Sequence, residues 1–285
     1  MPSRLWQLKD CALSFAGGPA VMGIVNVTPD SFSDGGQHAT TESAIAHGVL
    51  LAKQGAAILD VGGESTRPYS DPVAQEEELK RVIPVIEGLS AAVDVPISID
   101  TSKSAVAAAA ISAGAQIIND VTGLEGDPDM VSVAAGTGAG VCAMHAQGSP
   151  QTMQDDPQYE NVTEEIFDYL MQRQEFLVAA GIAKEKMCLD PGIGIGNTHA
   201  HNLQLMRDVE RFHDTLCPIL IGHSRKGFIR KLLGDDKPSR LDAGTLGISM
   251  LLATKGVQVL RVHEVQSTVD ALRCLKGTGA IVFGT

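Results

Sequence analysis

The sequence has 285 residues, of which 44% are hydrophobic and 20% are charged. This mixture is typical of a folded globular protein, and it excludes a mainly disordered, collagen-like or coiled-coil chain. The 22 basic and 34 acidic side chains give a formal net charge of −12, which argues against a general nucleic-acid binder or a protein of anionic membranes. It leaves room for an anionic substrate that a few local cations bind.

Cysteine usage and the distribution of apolar residues indicate where the protein works. The five cysteines are scattered and odd in number, which favours reduced thiols of a cytoplasmic protein over a disulfide framework. No apolar run reaches the roughly 18 residues of a membrane-spanning helix, and the N-terminus has no apolar stretch typical of a signal peptide. We therefore expect a cytoplasmic protein with no membrane or nucleic-acid partner.

The first predicted element is a short β-hairpin at residues 5–15. After it, short apolar runs recur, and most are continuously apolar, which is typical of parallel strands buried on both faces. Eight such strands are predicted, at residues 21–27, 57–61, 96–100, 116–121, 140–145, 187–190, 218–222 and 257–262. Helices are predicted between them, at residues 41–53, 74–93, 102–113 and 162–180.

Individual residues set the predicted helix ends. Thr41 is placed to cap the first helix, Gly181 ends the fourth, and Pro84 is expected to interrupt the second. Strands that alternate with helices predict an α/β protein, a single (β/α)8 TIM barrel over residues 1–285. The N-terminal hairpin is expected to close the bottom of this barrel.

An open, doubly wound sheet is the alternative fold. The run Gly192-Ile193-Gly194-Ile195-Gly196 is its best support. It does not match the G-x-G-x-x-G fingerprint of dinucleotide-binding proteins, because Asn197 stands at the last position and Pro191 precedes the run. The barrel is therefore preferred.

Polar residues stand at the C-terminal ends of the predicted strands, where such barrels build their active sites. They include Asn26, Asp100, Asn119, Asp190, Ser224, Lys226, Arg261 and His263. Asp100 alone could cap the next helix. However, Asp100 and Asp190 facing each other beside Asn119 would need hydrogen-bond donors. A flat ring with a guanidine-like edge supplies such donors, so the centre of the barrel is predicted to bind one.

A second group of residues favours a phosphate-like ligand. Arg261 and His263 are two residues apart on the last strand and face the same way, although such a pair could also be structural. Asn26 could help to hold a hydrated Mg²⁺ whose other ligands are phosphate oxygens. Residues 224–226 are predicted to open a helix whose free N–H groups bind an anion.

Residues 28–36 and 62–70 form two long connections rich in turn-forming residues. Loops of this kind often close over substrate, although they can also be surface decoration. Phe32 favours a lid, because a large aromatic side chain in such a loop is available to cover a ligand.

Two long segments carry a family resemblance. Residues 22–36 read MGIVNVTPDSFSDGG and residues 60–68 read DVGGESTRP. Both closely resemble the first two signature motifs of the dihydropteroate synthases. Shorter motifs follow in the family's order, at residues 99–101, 118–120, 144–145, 190–192, 224–226 and 261–263.

This resemblance implies a pterin-binding barrel enzyme of folate synthesis. It would join 4-aminobenzoate to 6-hydroxymethyl-7,8-dihydropterin pyrophosphate and release pyrophosphate, through an SN1-like path. The family also implies a Mg²⁺ cofactor and a homodimer. A pterin-binding methyltransferase that uses methyltetrahydrofolate and a non-catalytic pterin binder are the alternatives. The methyltransferase would need neither the pair of Arg261 and His263 nor the loop at residues 66–68. The lid motifs and Lys226 argue against the non-catalytic binder.

The resemblance also implies residue roles. The residues expected to contact the pterin are Asp100, Asn119, Met144, Asp190 and Lys226. Pyrophosphate contacts fall to Asn26, Arg261 and His263, with Asn26 also a Mg²⁺ ligand. The aminobenzoate site and lids take Phe32, Thr66, Arg67, Pro68, Ile195 and Ser224. Catalytic roles fall to Asp100, Lys226, Arg261 and His263.

Two positions depart from the family pattern. Ile195 stands where many members have an aromatic residue, so one wall of the aminobenzoate pocket is expected to be aliphatic and sulfonamide sensitivity is in question. His223 stands where methionine is common. It could carry partial charge and tune the pH dependence, or it could be a spectator.

Overall fold

The computed structural model describes residues 4–27, 36–64, 72–146 and 157–281, and within them eight parallel strands form a barrel. The strands are β3 (Ala20–Asn26), β4 (Ile58–Gly62), β5 (Ile97–Asp100), β6 (Ile117–Asp120), β7 (Gly140–Met144), β8 (Met187–Asp190), β9 (Leu220–Ile221) and β10 (Val259–Val262). Strands β3 to β8 pair in sequence, and β10 pairs with both β3 and β9. A parallel bridge between Leu189 and Ile219 joins β8 to β9. The predicted barrel is confirmed, and the open sheet is wrong.

Helices surround the barrel between successive strands. They are α1 (Gly36–Lys53), α2 (Gln75–Ala92), α3 (Ser104–Ser112), α4 (Met130–Thr137), α5 (Val162–Ala179), α6 (His199–Arg207), α7 (Gly227–Leu233), α8 (Pro238–Thr254) and α9 (Val265–Gly277). Helix α1 begins five residues before Thr41, so Thr41 does not cap it. Helix α2 runs through Pro84, which is exposed while its neighbours Val85 and Ile86 are buried. Water can therefore bind the carbonyl that loses its partner, and core packing carries the helix onward.

The N-terminal hairpin packs against the lower end of the barrel, as predicted. It consists of β1 (Leu5–Gln7) and β2 (Ala12–Ser14), which pair antiparallel. The Trp6 side chain is fully buried, and its indole N–H donates to the carbonyl of Lys186 at 2.9 Å. The hairpin and the barrel share one apolar cluster, formed by Trp6, Leu8, Phe15, Ala20, Met22, Ile58, Ile117, Cys142, Cys188, Leu220 and Val259.

Candidate functional site

The inward-facing positions of the barrel change from apolar to polar toward the C-terminal ends of the strands. Residues two apart on a strand share a face, so Asp60 lies one step above Ile58 on β4, and Arg261 one step above Val259 on β10. The polar layer formed in this way contains Asp60, Asp100, Asn119, Asp190 and Arg261. Three carboxyl groups, an amide and a guanidinium therefore meet above an apolar floor.

Arg261 is the centre of this layer. Its Nε donates to Asp60 Oδ2 at 2.6 Å, and its Nη2 donates to Asp100 Oδ2 at 2.7 Å. Burial opposes the charge on Arg261, but the two carboxylates outweigh burial and raise its pKa, so the guanidinium stays protonated. Burial also raises the pKa of the Asp100 carboxyl above its ordinary value, and the opposing effect of Arg261 is smaller.

Asp60 is the polar residue that sequence analysis leaves without a role. It belongs to the second long motif, but it lies two residues before the end of β4, one layer deeper than the strand ends. Asn119 Nδ2 lies 3.4 Å from its Oδ1 and 3.3 Å from its Oδ2. The sequence does show an acidic residue two positions after Ile58. That this residue faces the interior of the barrel follows only from the strand register.

Asp190 and Lys226 form the opposite wall of the layer. Asp190 Oδ1 accepts a hydrogen bond from the N–H of Gly192 at 2.7 Å. Burial raises the pKa of Asp190 to about 6, although Lys226 opposes this shift. Burial likewise lowers the pKa of Lys226 to about 8, against the effect of Asp190. Perturbed groups of both signs in one concave site are typical of catalytic and binding centres.

A glycine-rich loop between β8 and α6 positions the Lys226 side chain. Gly192 and Gly194 have φ angles of +74° and +79°, which L-residues rarely adopt. A Cβ atom on Gly194 would also collide with the Lys226 side chain. The Lys226 ammonium donates to the carbonyl of Ile193 in the same loop. The run that favoured a dinucleotide fold therefore shapes a lysine site instead.

Met144 and Ile195 pack together beside this loop, with Val121 and Ala146 around them. Both side chains are buried. The predicted pterin contact Met144 and the predicted aminobenzoate contact Ile195 thus share one apolar wall. Ile195 makes this part of the wall aliphatic.

Ser224 and His263 meet at the rim of the barrel. Ser224 Oγ and His263 Nδ1 are 2.9 Å apart, and the N–H of His263 donates to the same oxygen at 3.3 Å. Both residues follow strands next to one another in the barrel, β9 and β10. A hydroxyl and an imidazole are therefore held together on the side of the barrel that also carries Arg261.

The predicted anion site at the N–H groups of residues 224–226 is wrong in two of its three positions. The N–H of Arg225 donates to Thr245 Oγ1 at 3.1 Å, and that of Lys226 donates to the carbonyl of His223 at 3.3 Å. The Arg225 side chain forms ion pairs with Asp242 and Glu264. A contact with α8 and a local turn have therefore satisfied donors that a regular helix start would leave free.

His223 is fully buried. Its Nε2 lies 2.9 Å from Ser249 Oγ and 3.2 Å from the carbonyl of Thr245. Burial lowers its pKa to about 4. The structure therefore favours a neutral ring, and with it the interpretation of His223 as a spectator.

Asn26 ends β3 and pairs with Gly62, and its side chain is half-buried. Across the described ranges, no group of three or more acidic, histidine or cysteine side chains could hold a metal ion. One amide oxygen fits Mg²⁺ only if phosphate oxygens and water complete the coordination, which is a common arrangement for this ion. The predicted lid and aminobenzoate residues Phe32, Thr66, Arg67 and Pro68 lie outside the described residues.

The helices of the described residues are all too short or too polar to cross a lipid bilayer. A family model described as "pterin binding enzyme" matches residues 22–263. The dihydropteroate synthase of Escherichia coli strain K12 is 46% identical over 260 residues, which cover 91% of this chain and 92% of that protein.

Solved structures agree with this relationship. The Xanthomonas albilineans dihydropteroate synthase with 4-aminobenzoic acid is 44% identical, has a TM-score of 0.91, and aligns over 98% of this chain and 99% of its own. The same enzyme in complex with 7,8-dihydropteroate is 42% identical, with a TM-score of 0.88, over 97% of this chain and 99% of its own. The chain therefore belongs to the pterin-binding enzymes and, among them, to the dihydropteroate synthase family.

Proposed function

We propose that this chain condenses 6-hydroxymethyl-7,8-dihydropterin pyrophosphate with 4-aminobenzoate to give 7,8-dihydropteroate and pyrophosphate. The observation that carries this proposal is the layer of Asp100, Asn119 and Asp190 with the cations Arg261 and Lys226, inside a barrel of this family. The relatives bind the aminobenzoate substrate and the dihydropteroate product. No observation in the described residues favours methyl transfer instead.

The pterin ring is assigned to the polar layer. Asp100 and Asp190 accept hydrogen bonds from the donor-rich edge of the ring, and Asn119 binds a mixed edge. Lys226 supplies a donor from the glycine-rich loop, and Met144 gives an apolar face. Their burial supports these roles, since buried carboxylates favour donors of fixed geometry.

The pyrophosphate is assigned to the rim. Arg261 carries a permanent positive charge, and His263 lies two residues further along the chain, just past the end of β10. Both can donate hydrogen bonds to phosphate oxygens as charge develops on the leaving group. Ser224 Oγ orients the imidazole of His263 and, in this assignment, borders the aminobenzoate site.

Bond breaking precedes bond making in this mechanism. The C–O bond to pyrophosphate breaks with its electron pair on oxygen, and the electron-rich dihydropterin ring stabilises the methylene cation that remains. Asp100 and Asp190 add negative potential around that cation. The amino group of 4-aminobenzoate is neutral near pH 7, so it attacks without a strong general base and then loses a proton. The segments that carry Phe32, Thr66, Arg67 and Pro68 are assigned to exclude water and to bind the aminobenzoate, with Ile195 as a wall.

Mg²⁺ is the proposed cofactor, and Asn26 is its proposed protein ligand. When bound, it neutralises charge on the pyrophosphate. The hard amide oxygen of Asn26 at the end of β3 supports this choice. Loss of turnover in a chelator and its return with Mg²⁺ is the expected result, and turnover that is unaffected by chelation contradicts it.

We also propose a cytoplasmic homodimer whose residues 1–285 form one catalytic domain. The thiols of Cys142 and Cys188 are free and buried, which suits a reducing compartment. Helix α8 exposes Ala243, Gly247 and Leu251 at a spacing of four residues, on one face. Light scattering should give twice the chain mass, and Leu251→Glu should give the monomer mass.

One assay tests the proposed reaction. Pyrophosphate release from the pterin substrate is measured with and without 4-aminobenzoate and with and without Mg²⁺, and dihydropteroate is quantified in parallel. We expect equal amounts of the two products, and only when both additions are present. Pterin binding with no pyrophosphate release would indicate a non-catalytic binder and refute the proposal.

A further inference from the structure

Asp60 lies where no substrate contact is assigned. Its side chain is fully buried. In the parallel register it stands beside Ile24 and Ser98, whereas Asp100 stands beside Gly62, one inward step closer to the mouth of the barrel. Asp60 therefore lies one inward step below Asp100, and its hydrogen-bond partners are Arg261 and Asn119.

One carboxylate connects two of those groups. Asp60 Oδ2 accepts from Arg261 Nε at 2.6 Å, and the Asp60 carboxylate also receives Asn119 Nδ2 at 3.3 to 3.4 Å. The three residues come from strands β4, β10 and β6, so the interaction spans the barrel. We propose that Asp60 is a positioning residue, which orients the Arg261 guanidinium for the leaving group and the Asn119 amide for the pterin. This inference rests on the proposed function and adds a residue to its machinery.

The Asp60 carboxylate forms a hydrogen bond with Arg261 that is not shared with the substrate. The other carboxylate on Arg261, Asp100, is also assigned to the pterin ring, so its bond to Nη2 must be shared when substrate binds. The hydrogen bond between Asp60 and Nε is not shared in this way. A guanidinium fixed at Nε keeps its plane, and its remaining N–H groups stay available toward the rim.

The chemistry of Asp60 also fixes which end of the Asn119 amide faces the ligand. An ionised carboxylate only accepts hydrogen bonds, so the NH₂ group of Asn119 must face Asp60. The amide oxygen of Asn119 then faces the opposite way, as an acceptor for a ring N–H. This orientation follows from the chemistry of the partner. An uncharged residue at position 60 would leave both amide orientations open.

The test uses Asp60→Asn, which keeps the shape and removes the charge. We expect kcat/KM for the pterin substrate to fall about 10- to 100-fold, the size typical of losing a hydrogen bond to a charged group. KM for 4-aminobenzoate should change less than about threefold, since the described hydrogen-bond partners of Asp60, Arg261 and Asn119, are not assigned to that site. Titration calorimetry with inorganic pyrophosphate and with 7,8-dihydropteroate should show weaker binding of both.

Asp120→Asn is the matched control. Asp120 is a fully buried carboxylate on β6, but its Oδ1 accepts from the N–H and Oγ1 of Thr122, away from Arg261. This variant should lose stability without the two binding defects. Equal kinetic and binding losses in both variants would mean that Asp60 only supports the fold, and would overturn the proposal.

A double-mutant cycle separates positioning from additive damage. Adding Asp60→Asn to Arg261→Gln should weaken pyrophosphate binding by less than about threefold more, because the oriented group is already gone. Full additivity would overturn the proposal. The double variant also has no unpaired buried charge between positions 60 and 261, so it remains a test if Asp60→Asn alone does not fold. Both affinities are measured without turnover, so they test Asp60 even if the wild type releases no pyrophosphate, a result that would refute only the reaction.

Discussion

At the scale of single residues, Asp190 and Lys226 determine the pH range of the site. Burial brings the pKa of the carboxyl up to about 6 and that of the ammonium down to about 8. Below the first value Asp190 binds a proton and stops accepting, and above the second Lys226 loses its charge. We therefore expect kcat/KM for the pterin substrate to be bell-shaped, with an alkaline limb near pH 8 and an acid limb between about pH 6 and pH 7, since burial also raises the pKa of Asp100, to about 7.

The alkaline limb is the diagnostic one, because Asp100 also has a raised pKa and contributes to the acid limb. Lys226→Met should lower kcat/KM and remove the limb near pH 8. Asp190→Asn should lower kcat/KM and leave Asp100 as the group that titrates in the acid limb. Both predictions are checked by measuring kcat/KM between pH 5 and about pH 10 at constant ionic strength. An alkaline limb that persists in Lys226→Met would assign it to another group.

The sequence predicts which residues belong to the site better than it predicts which of them contact one another. Asp100, Asn119 and Asp190 are polar interruptions at the ends of apolar runs, so the pattern alone singles them out. The contact of Arg261 with Asp60 joins residues 201 positions apart. It depends on the closing of the barrel and on strand register, which no local pattern contains. For that reason the sequence assigns Arg261 to a phosphate-like ligand but does not predict its hydrogen bond with Asp60.

At the scale of elements, the loop between β8 and α6 is held by an asparagine. Asn202 Oδ1 accepts from the N–H of Gly194 at 2.5 Å, and its Nδ2 donates to the carbonyls of Asn197 and Thr198. Asn202→Ala removes the three hydrogen bonds that this side chain makes to the segment, at a cost of about 1–3 kcal/mol. The loop should then loosen and expose Lys226 to water.

Two measurements check this. Urea unfolding should show the loss of stability, and the alkaline limb of kcat/KM in Asn202→Ala should move above pH 8, since hydration returns the pKa of Lys226 toward its ordinary value. Asn161→Ala is the matched control, because it removes a hydrogen bond to the N–H of Glu164 at the start of α5 and none in this loop. A loss of stability with an unmoved limb would show that the loop does not set the environment of Lys226.

Element type followed from the sequence, and element ends did not. Continuous apolar runs identify all eight strands, but β9 is only Leu220–Ile221 where residues 218–222 were expected. The end of a strand depends on where its neighbour stops pairing. The glycine run at residues 192–196 likewise needs positive φ angles for packing against Lys226, a requirement that its spacing does not reveal.

At the scale of the whole molecule, the two ends of the barrel have different tasks. The upper layer gathers buried carboxylates and cations, an arrangement that costs stability. The lower layer and the hairpin bury a continuous apolar cluster that offsets this cost. In barrels of this class the catalytic residues lie at the C-terminal ends of the strands and the opposite end supports the fold. Changes at the bottom should therefore alter stability and leave chemistry intact.

Trp6 gives the sharpest test of this division. It is fully buried at the bottom of the barrel, and its indole N–H binds the carbonyl of Lys186. Trp6→Ala should lower the free energy of unfolding by about 3–5 kcal/mol, while kcat of the folded fraction at 25 °C stays within about twofold. Leu5→Ala, one residue away with a side chain 51% exposed, should change stability by less than about 0.5 kcal/mol. If Trp6→Ala had normal stability and a low kcat, the prediction would be wrong. The hairpin would then affect the catalytic site without contributing to stability.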